Sequence, residues 1–159
     1  MRNKFQKALG IDKYLEQERT PLNVKITGTL QRETYRVEKL YYESLPGLYV
    51  TANLYIPHNI KKPAPAIIYL CGHSQTQKIN YQAHPRKFAQ LGFVALIIDT
   101  IQYGEVRGIH HGTYSHGLFQ WISKGYTPAA PEVWNAIRGI DLLSTYKEVD
   151  KNKIGITGH

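Results

Sequence analysis

The sequence predicts an α/β protein in which an antiparallel hairpin leads into a mostly parallel sheet with flanking helices. Three observations carry this. Leu48, Val50, Ala52, Leu54 and Ile56 alternate with Tyr49, Thr51, Asn53 and Tyr55, the two-residue period of a strand with one aliphatic face. Ala66–Cys71, Val94–Asp99 and the shorter Ile154–Thr157 are apolar runs without alternation, as parallel strands covered on both faces are. Helical stretches separate those runs. Strand–helix–strand–helix–strand after a hairpin is a layered α/β arrangement with right-handed crossovers.

From the start of the chain, Arg2 to Glu18 is charge-rich with Phe5, Leu9 and Leu15 interspersed. That predicts a peripheral helix ending before Pro21. A short strand follows at about Val24–Leu30. Tyr35–Ser44 and Leu48–Ile56 are firmer strands, because Leu45-Pro46-Gly47 between two β-rich runs is a turn signal. Lys61-Lys62-Pro63-Ala64-Pro65 separates this hairpin from the first parallel strand. The next helix tolerates Pro85 in its first turn and has Gly92 suited to the C′ position. The helix before the last strand has Pro131 near its first position and a stripe of Val133, Ile137, Ile140 and Leu143. On this reading residues 1–33 form an N-terminal helical, peripheral segment and 34–159 the α/β domain.

At 159 residues the chain has the length of one domain, and 42% apolar with 20% charged residues is ordinary for a globular protein. The formal charge of +8 raises nucleic-acid binding. Its lysines and arginines are scattered, however, with no run longer than two and no nucleic-acid-binding motif. Neither a transmembrane stretch nor the apolar core of a signal peptide is visible, so no membrane partner and a cytoplasmic location are expected, with secretion left open. The single Cys71 cannot form an intramolecular disulfide. Twelve tyrosines suit strand faces and a pocket for polar rings such as sugars.

The residues that could carry chemistry lie at the ends of the parallel strands. Ile154-Gly155-Ile156-Thr157 runs into Gly158-His159, the first two residues of a Gly-x-Ser-x-Gly elbow. In that motif the serine sits on a strained strand-to-helix turn that lifts its Oγ out of the sheet. No catalytic residue is therefore assigned within the chain, and the nucleophile is expected immediately after His159. The first parallel strand ends Leu70-Cys71-Gly72-His73-Ser74. Acyl transfer needs a second backbone N–H from this loop, which the backbone of His73 supplies, with Ser74 as the alternative. Ser74 itself lacks the flanking glycines of a nucleophile, and Asp99 precedes the elbow, out of order for a triad acid. Asp99 is read as a turn-former bonded to the backbone of Thr100–Gly104.

The stretch from about Ile101 to Ala130 is too long for an ordinary connection and follows a parallel strand's carboxyl end, where long loops are usually functional. It is read as a lid or pocket wall, with Tyr103, Arg107, Tyr114 and Trp121 as substrate-binding candidates. His110, His111 and His116 do not have the spacing of a helical zinc pair, so no metal is expected. Arg138 and Asp141, three apart on a helix, can pair with each other.

Together these segments resemble the acetyl xylan esterase / dienelactone hydrolase-like group of α/β-hydrolases. The resemblance is carried by Glu43-Ser44-Leu45-Pro46-Gly47-Leu48, Ala52–Pro57, Pro65–His73, Leu91-Gly92-Phe93-Val94-Ala95, Asp99, Gly104-Glu105, Trp134–Leu143 and Glu148-Val149-Asp150, and most specifically by Lys153–His159. It covers most of the chain after about residue 35. Many members have His-Gly at the oxyanion loop where this chain has Cys71-Gly72. The resemblance implies the N-terminal half of an α/β-hydrolase fold and a Ser-His-Asp/Glu carboxylic ester hydrolase. It further implies small acyl groups on carbohydrates as substrate, and no metal or organic cofactor. The expectation is a fragment that lacks the serine, acid and histidine and is inactive alone, with the missing C-terminal half-domain as partner. The alternative is a non-catalytic half-fold that pairs with another chain to complete the sheet.

Overall fold

A computed structural model describes residues 1–110 and 116–159. In chain order these form α1 (Arg2–Leu9), α2 (Asp12–Leu15), β1 (Lys25–Gln31), β2 (Tyr35–Leu45), β3 (Leu48–Pro57) and β4 (Ala64–Leu70). A 3₁₀ turn (Gln77–Ile79), α3 (Ala83–Gln90), β5 (Val94–Ile98), α4 (Phe119–Ser123), α5 (Ala129–Leu143) and β6 (Val149–Gly158) follow. The strands form one sheet in the order β1-β2-β3-β5-β4-β6. β1, β2, β3 and β5 pair antiparallel in succession, while β4 lies parallel to both β5 and β6. This is the predicted hairpin followed by a parallel sheet.

The hairpin closes at Pro46-Gly47, where Gly47 takes φ 80° and donates its N–H to Glu43 Oε1 at 2.6 Å. A left-handed residue at that corner is why glycine stands there. The alternating residues of β3 divide the sheet as predicted. Val50, Ala52, Leu54 and Ile56 join Ile68, Leu96 and Leu142 in a core on the face that α5 covers. Tyr55 turns the other way, into a smaller core with Tyr35, Tyr69, Ile97 and Ala89 of α3. Val94–Ile98 is buried throughout, because both faces of the central strand are covered.

Two helix expectations are corrected. The single helix over Arg2–Glu18 is instead two, broken at Gly10, which takes φ 73°. A Cβ on Gly10 would fall 2.7 Å from the Gly125 carbonyl oxygen, so close backbone packing as well as conformation fixes the break. In α5, Pro131 is the third helical residue, and the expected stripe turns inward only at its end: Leu143 is buried in the larger core and Ile140 packs against it, whereas Val133 is exposed and Ile137 half-buried. The buried residues of α5 are Ala130, Trp134, Asn135, Ala136, Arg138, Gly139, Leu142 and Leu143.

Polar side chains are among these buried residues because they tie α5 to the hairpin and the N-terminal segment. Tyr42 Oη donates to the Asn135 carbonyl at 2.6 Å, Ser44 Oγ to Asn135 Oδ1 at 2.6 Å, and Trp134 Nε1 to the Ser44 carbonyl at 2.9 Å. Arg138 pairs with Asp141 at 2.6 Å, as expected, and also donates to the Thr20 carbonyl. These bonds offset much of the cost of burying the groups, although Asn135 Nδ2 and Arg138 Nε have no hydrogen-bond partner among the described residues.

Candidate active site

The carboxyl ends of β4, β5 and β6 converge, and with them the two glycine turns singled out in the sequence. The His159 N–H donates to Leu70 O at 3.3 Å. A Cβ on Gly158 would lie 2.7 Å from the same oxygen, so only glycine lets β6 run this close to the end of β4. A Cβ on Gly72 would lie 2.9 Å from His159 Cδ2 and from Tyr81 Oη. The Gly72-His73 loop and the Gly158-His159 terminus are therefore in contact.

His73 is exposed, its ring 5.8 Å from that of Tyr103 and 6.2 Å from that of His110. The Ser74 N–H is turned back onto the Gly72 carbonyl at 3.0 Å, and Ser74 Oγ accepts from the Thr76 N–H at 3.4 Å. Of the two candidate donors, Ser74 is thus engaged within its own turn. Tyr103 is half-buried beside His73, whereas Arg107 is exposed and Trp121 lies half-buried on α4. Tyr114 and His111 lie outside the described residues. Among the described residues no group of three metal-ligating side chains converges.

Beside His73 a cavity of about 220 Å³ opens between the strand ends and the start of α5, lined by Leu70, Cys71, Ile98 and Val133 with Thr100, His110 and Glu132. Glu132 Oε1 accepts the Ile101 N–H at 2.7 Å, and His110 Nδ1 lies 3.8 Å from the same oxygen. Burial pushes the Glu132 carboxyl up to about 7, against the opposing pull of the Ile101 hydrogen bond. Burial, reinforced by the Asp99 charge, pushes the Cys71 thiol up to about 12. Cys71 is therefore a neutral wall residue and not a nucleophile.

Asp99 is not the local turn-former expected. It is fully buried and pairs with the buried Lys78 ammonium, which also reaches Glu105 Oε2 at 2.5 Å. Its oxygens further accept from Thr51 Oγ1 at 2.8 Å, Lys78 N at 3.1 Å and Glu105 N at 3.2 Å. None of these donors belongs to Thr100–Gly104. Gly104 passes so close that a Cβ there would lie 2.6 Å from the carboxylate carbon. Gln77 and Lys78 are the site residues that sequence reasoning missed. A Gln-Lys pair in a polar loop carries no sign of burial, and only the fold brings its partners from β3, β5 and the following loop.

No helix among the described residues is long and apolar enough to cross a membrane. A family model described as the Abhydrolase family matches residues 1–123. No curated protein matches the chain. Among solved structures, a methylesterase shares 24% identity over 99% of this chain and 34% of its own, with a TM-score of 0.76. A Bacteroides fragilis protein assigned as an acetyl xylan esterase shares 23% over 98% of this chain and 47% of its own, with a TM-score of 0.73. An acetyl xylan esterase from Paenibacillus sp. R4 shares 18% over 98% and 49%, with a TM-score of 0.68. At such identities the likeness is one of fold, and the chain spans about half or less of the length of each structure. With the family model covering well over half of its residues, and with this strand order and these strand-end turns, the chain belongs to the Abhydrolase family and has an α/β-hydrolase fold.

Proposed function

We propose that the chain supplies the oxyanion side of a serine-dependent carboxylic ester hydrolase acting on carbohydrate esters. The observation that carries this is the contact between the Gly72-His73 loop and Gly158-His159 at the carboxyl ends of β4 and β6. Acyl transfer on this fold uses a backbone N–H from each of these places, one from the loop and one from the residue after the nucleophile. On this reading His73 is the loop donor, Gly158-His159 lead into the serine, and the cavity beside Glu132 receives part of the ester. Tyr103, next to His73, contacts substrate, with Arg107, Tyr114 and Trp121 contributing from the same long segment. The names of the similar structures (acetyl xylan, glucuronoyl and methyl esterases) support an ester of a carbohydrate as the substrate class.

The test is to treat the protein, as its gene encodes it, with a fluorophosphonate probe and map the modified peptide. Labelling of a serine directly after His159 is the expected result. A protein that is folded but takes no label is not a serine hydrolase. A second reading, a half-fold completed by another chain, draws on one feature: among the described residues β6 pairs with β4 alone, and most of it is exposed. Recovery of a stable hetero-complex that takes no label would select it.

A further inference from the structure

Gln77 is fully buried yet polar, and it holds φ 41°, a left-handed conformation that side-chain-bearing residues keep only where their surroundings impose it. Its carboxamide is used at both ends. Nε2 donates to the carbonyl oxygens of Gly72 and Ser74, each at 2.9 Å. Oε1 accepts from the N–H and the Oγ1 of Thr100, each at 3.1 Å. The next residue, Lys78, anchors the same loop to Asp99 through its N–H and its ammonium. Two adjacent side chains thus fix the turn after β4 to the end of β5.

The orientation follows from the peptide unit. The Gly72–His73 bond is trans, so its C=O and N–H point in opposite directions. The Gly72 carbonyl is held toward Gln77 by Nε2 and also accepts the Ser74 N–H. The His73 N–H is consequently directed away from Gln77. We propose that the Gln77 carboxamide is a positioning group that aims the His73 N–H at the ester oxyanion by gripping the carbonyls on either side of His73. This rests on the ester-hydrolase reading above and goes beyond it by naming the group that sets the donor. An oxyanion hole works by being preorganised, so a donor released from its support loses much of its worth.

The experiment uses the gene-encoded protein with p-nitrophenyl acetate and the fluorophosphonate probe. Gln77→Leu removes both donors. Gln77→Glu keeps the shape and an acceptor for Thr100 but sets a carboxylate oxygen against two carbonyls. Both variants are expected to lose about 10- to 100-fold in kcat, with KM within about 3-fold of wild type. For Gln77→Glu the deficit relative to wild type should shrink as pH falls and the introduced carboxyl gains a proton to donate. A role only in stability predicts a lowered melting temperature with the kcat of the folded fraction unchanged, and that result overturns the proposal. So does a Gln77→Glu deficit that is the same at every pH. A wild-type protein that neither labels nor turns over ester overturns the hydrolase reading itself, and the positioning role falls with it.

Discussion

Glu132 stands at the meeting point of cavity, loop and helix, and its environment sets a pH dependence whose direction can be worked out. Burial raises its folded-state carboxyl to about 7 from an ordinary 4.5. Between those values the folded protein holds a proton that the unfolded chain releases, so stability falls as pH rises across that window. Glu132→Gln keeps an oxygen to accept the Ile101 N–H at 2.7 Å and removes the buried charge. The variant should match wild type near pH 4.5 and exceed it by about 1–3 kcal/mol above pH 7. Protonated His110, 3.8 Å away, would offset part of the difference. Denaturant unfolding of both proteins from pH 4.5 to 8 checks this, and parallel curves would show that the carboxyl is not desolvated. The Lys78–Asp99 pair obeys a related rule. Its buried charges are tolerable only because Glu105, Thr51 and two backbone N–H groups complete the set, and removing one partner from such a pair is costly.

At the scale of elements, α5 fixes the distance between helix layer and sheet through Gly139. A Cβ there would fall 2.6 Å from Ile68 Cδ1 and 3.2 Å from Tyr42 Oη, both buried in the larger core. Gly139→Ala should therefore destabilise by about 1–3 kcal/mol although alanine favours helices, because overpacking outweighs the propensity gain. A thermal midpoint at or above wild type would mean that the layer spacing has slack. The same glycine illustrates what the sequence could and could not reveal. Alternation located β3, the Pro-Gly turn its partner β2, unbroken apolar runs β4 to β6 and a helical stripe α5, because hydrophobic burial imposes these patterns on the chain. The stripe placed Leu143 and Ile140 toward the core but missed much of the inner face of α5, since that face also carries Asn135, Arg138 and Gly139. Their burial depends on partners at Ser44, Tyr42 and Thr20, about ninety or more residues away. Gly72 and Gly158 were legible because a local backbone requirement selects glycine at strand-end turns. Gln77, Lys78 and the true partners of Asp99 were not, because their roles exist only once β3, β4 and β5 are side by side.

At the scale of the whole molecule, the sheet is asymmetric. Among the described residues β5 is buried throughout, whereas β6 pairs with β4 alone and Ile156 is 55% exposed. A ten-residue strand with an unpaired edge offers a row of backbone donors and acceptors to any other extended chain, and a bare apolar side chain beside it strengthens the attraction. The +8 net charge opposes association through mutual repulsion. At 0.15 M salt, however, charges more than about 8 Å apart are largely screened, whereas edge pairing acts at contact distance. The contact term should therefore win in physiological buffer. The 159-residue polypeptide is expected to self-associate at micromolar concentration in 0.15 M salt and to shift toward monomer at low salt. Ile156→Lys, which puts a charge on the exposed edge strand without touching its bonds to β4, should favour the monomer at both ionic strengths. Light scattering behind size exclusion measures this directly. A wild-type polypeptide that stays monomeric in 0.15 M salt and unfolds in one cooperative step would show that the β6 edge is not the adhesive surface its exposure suggests.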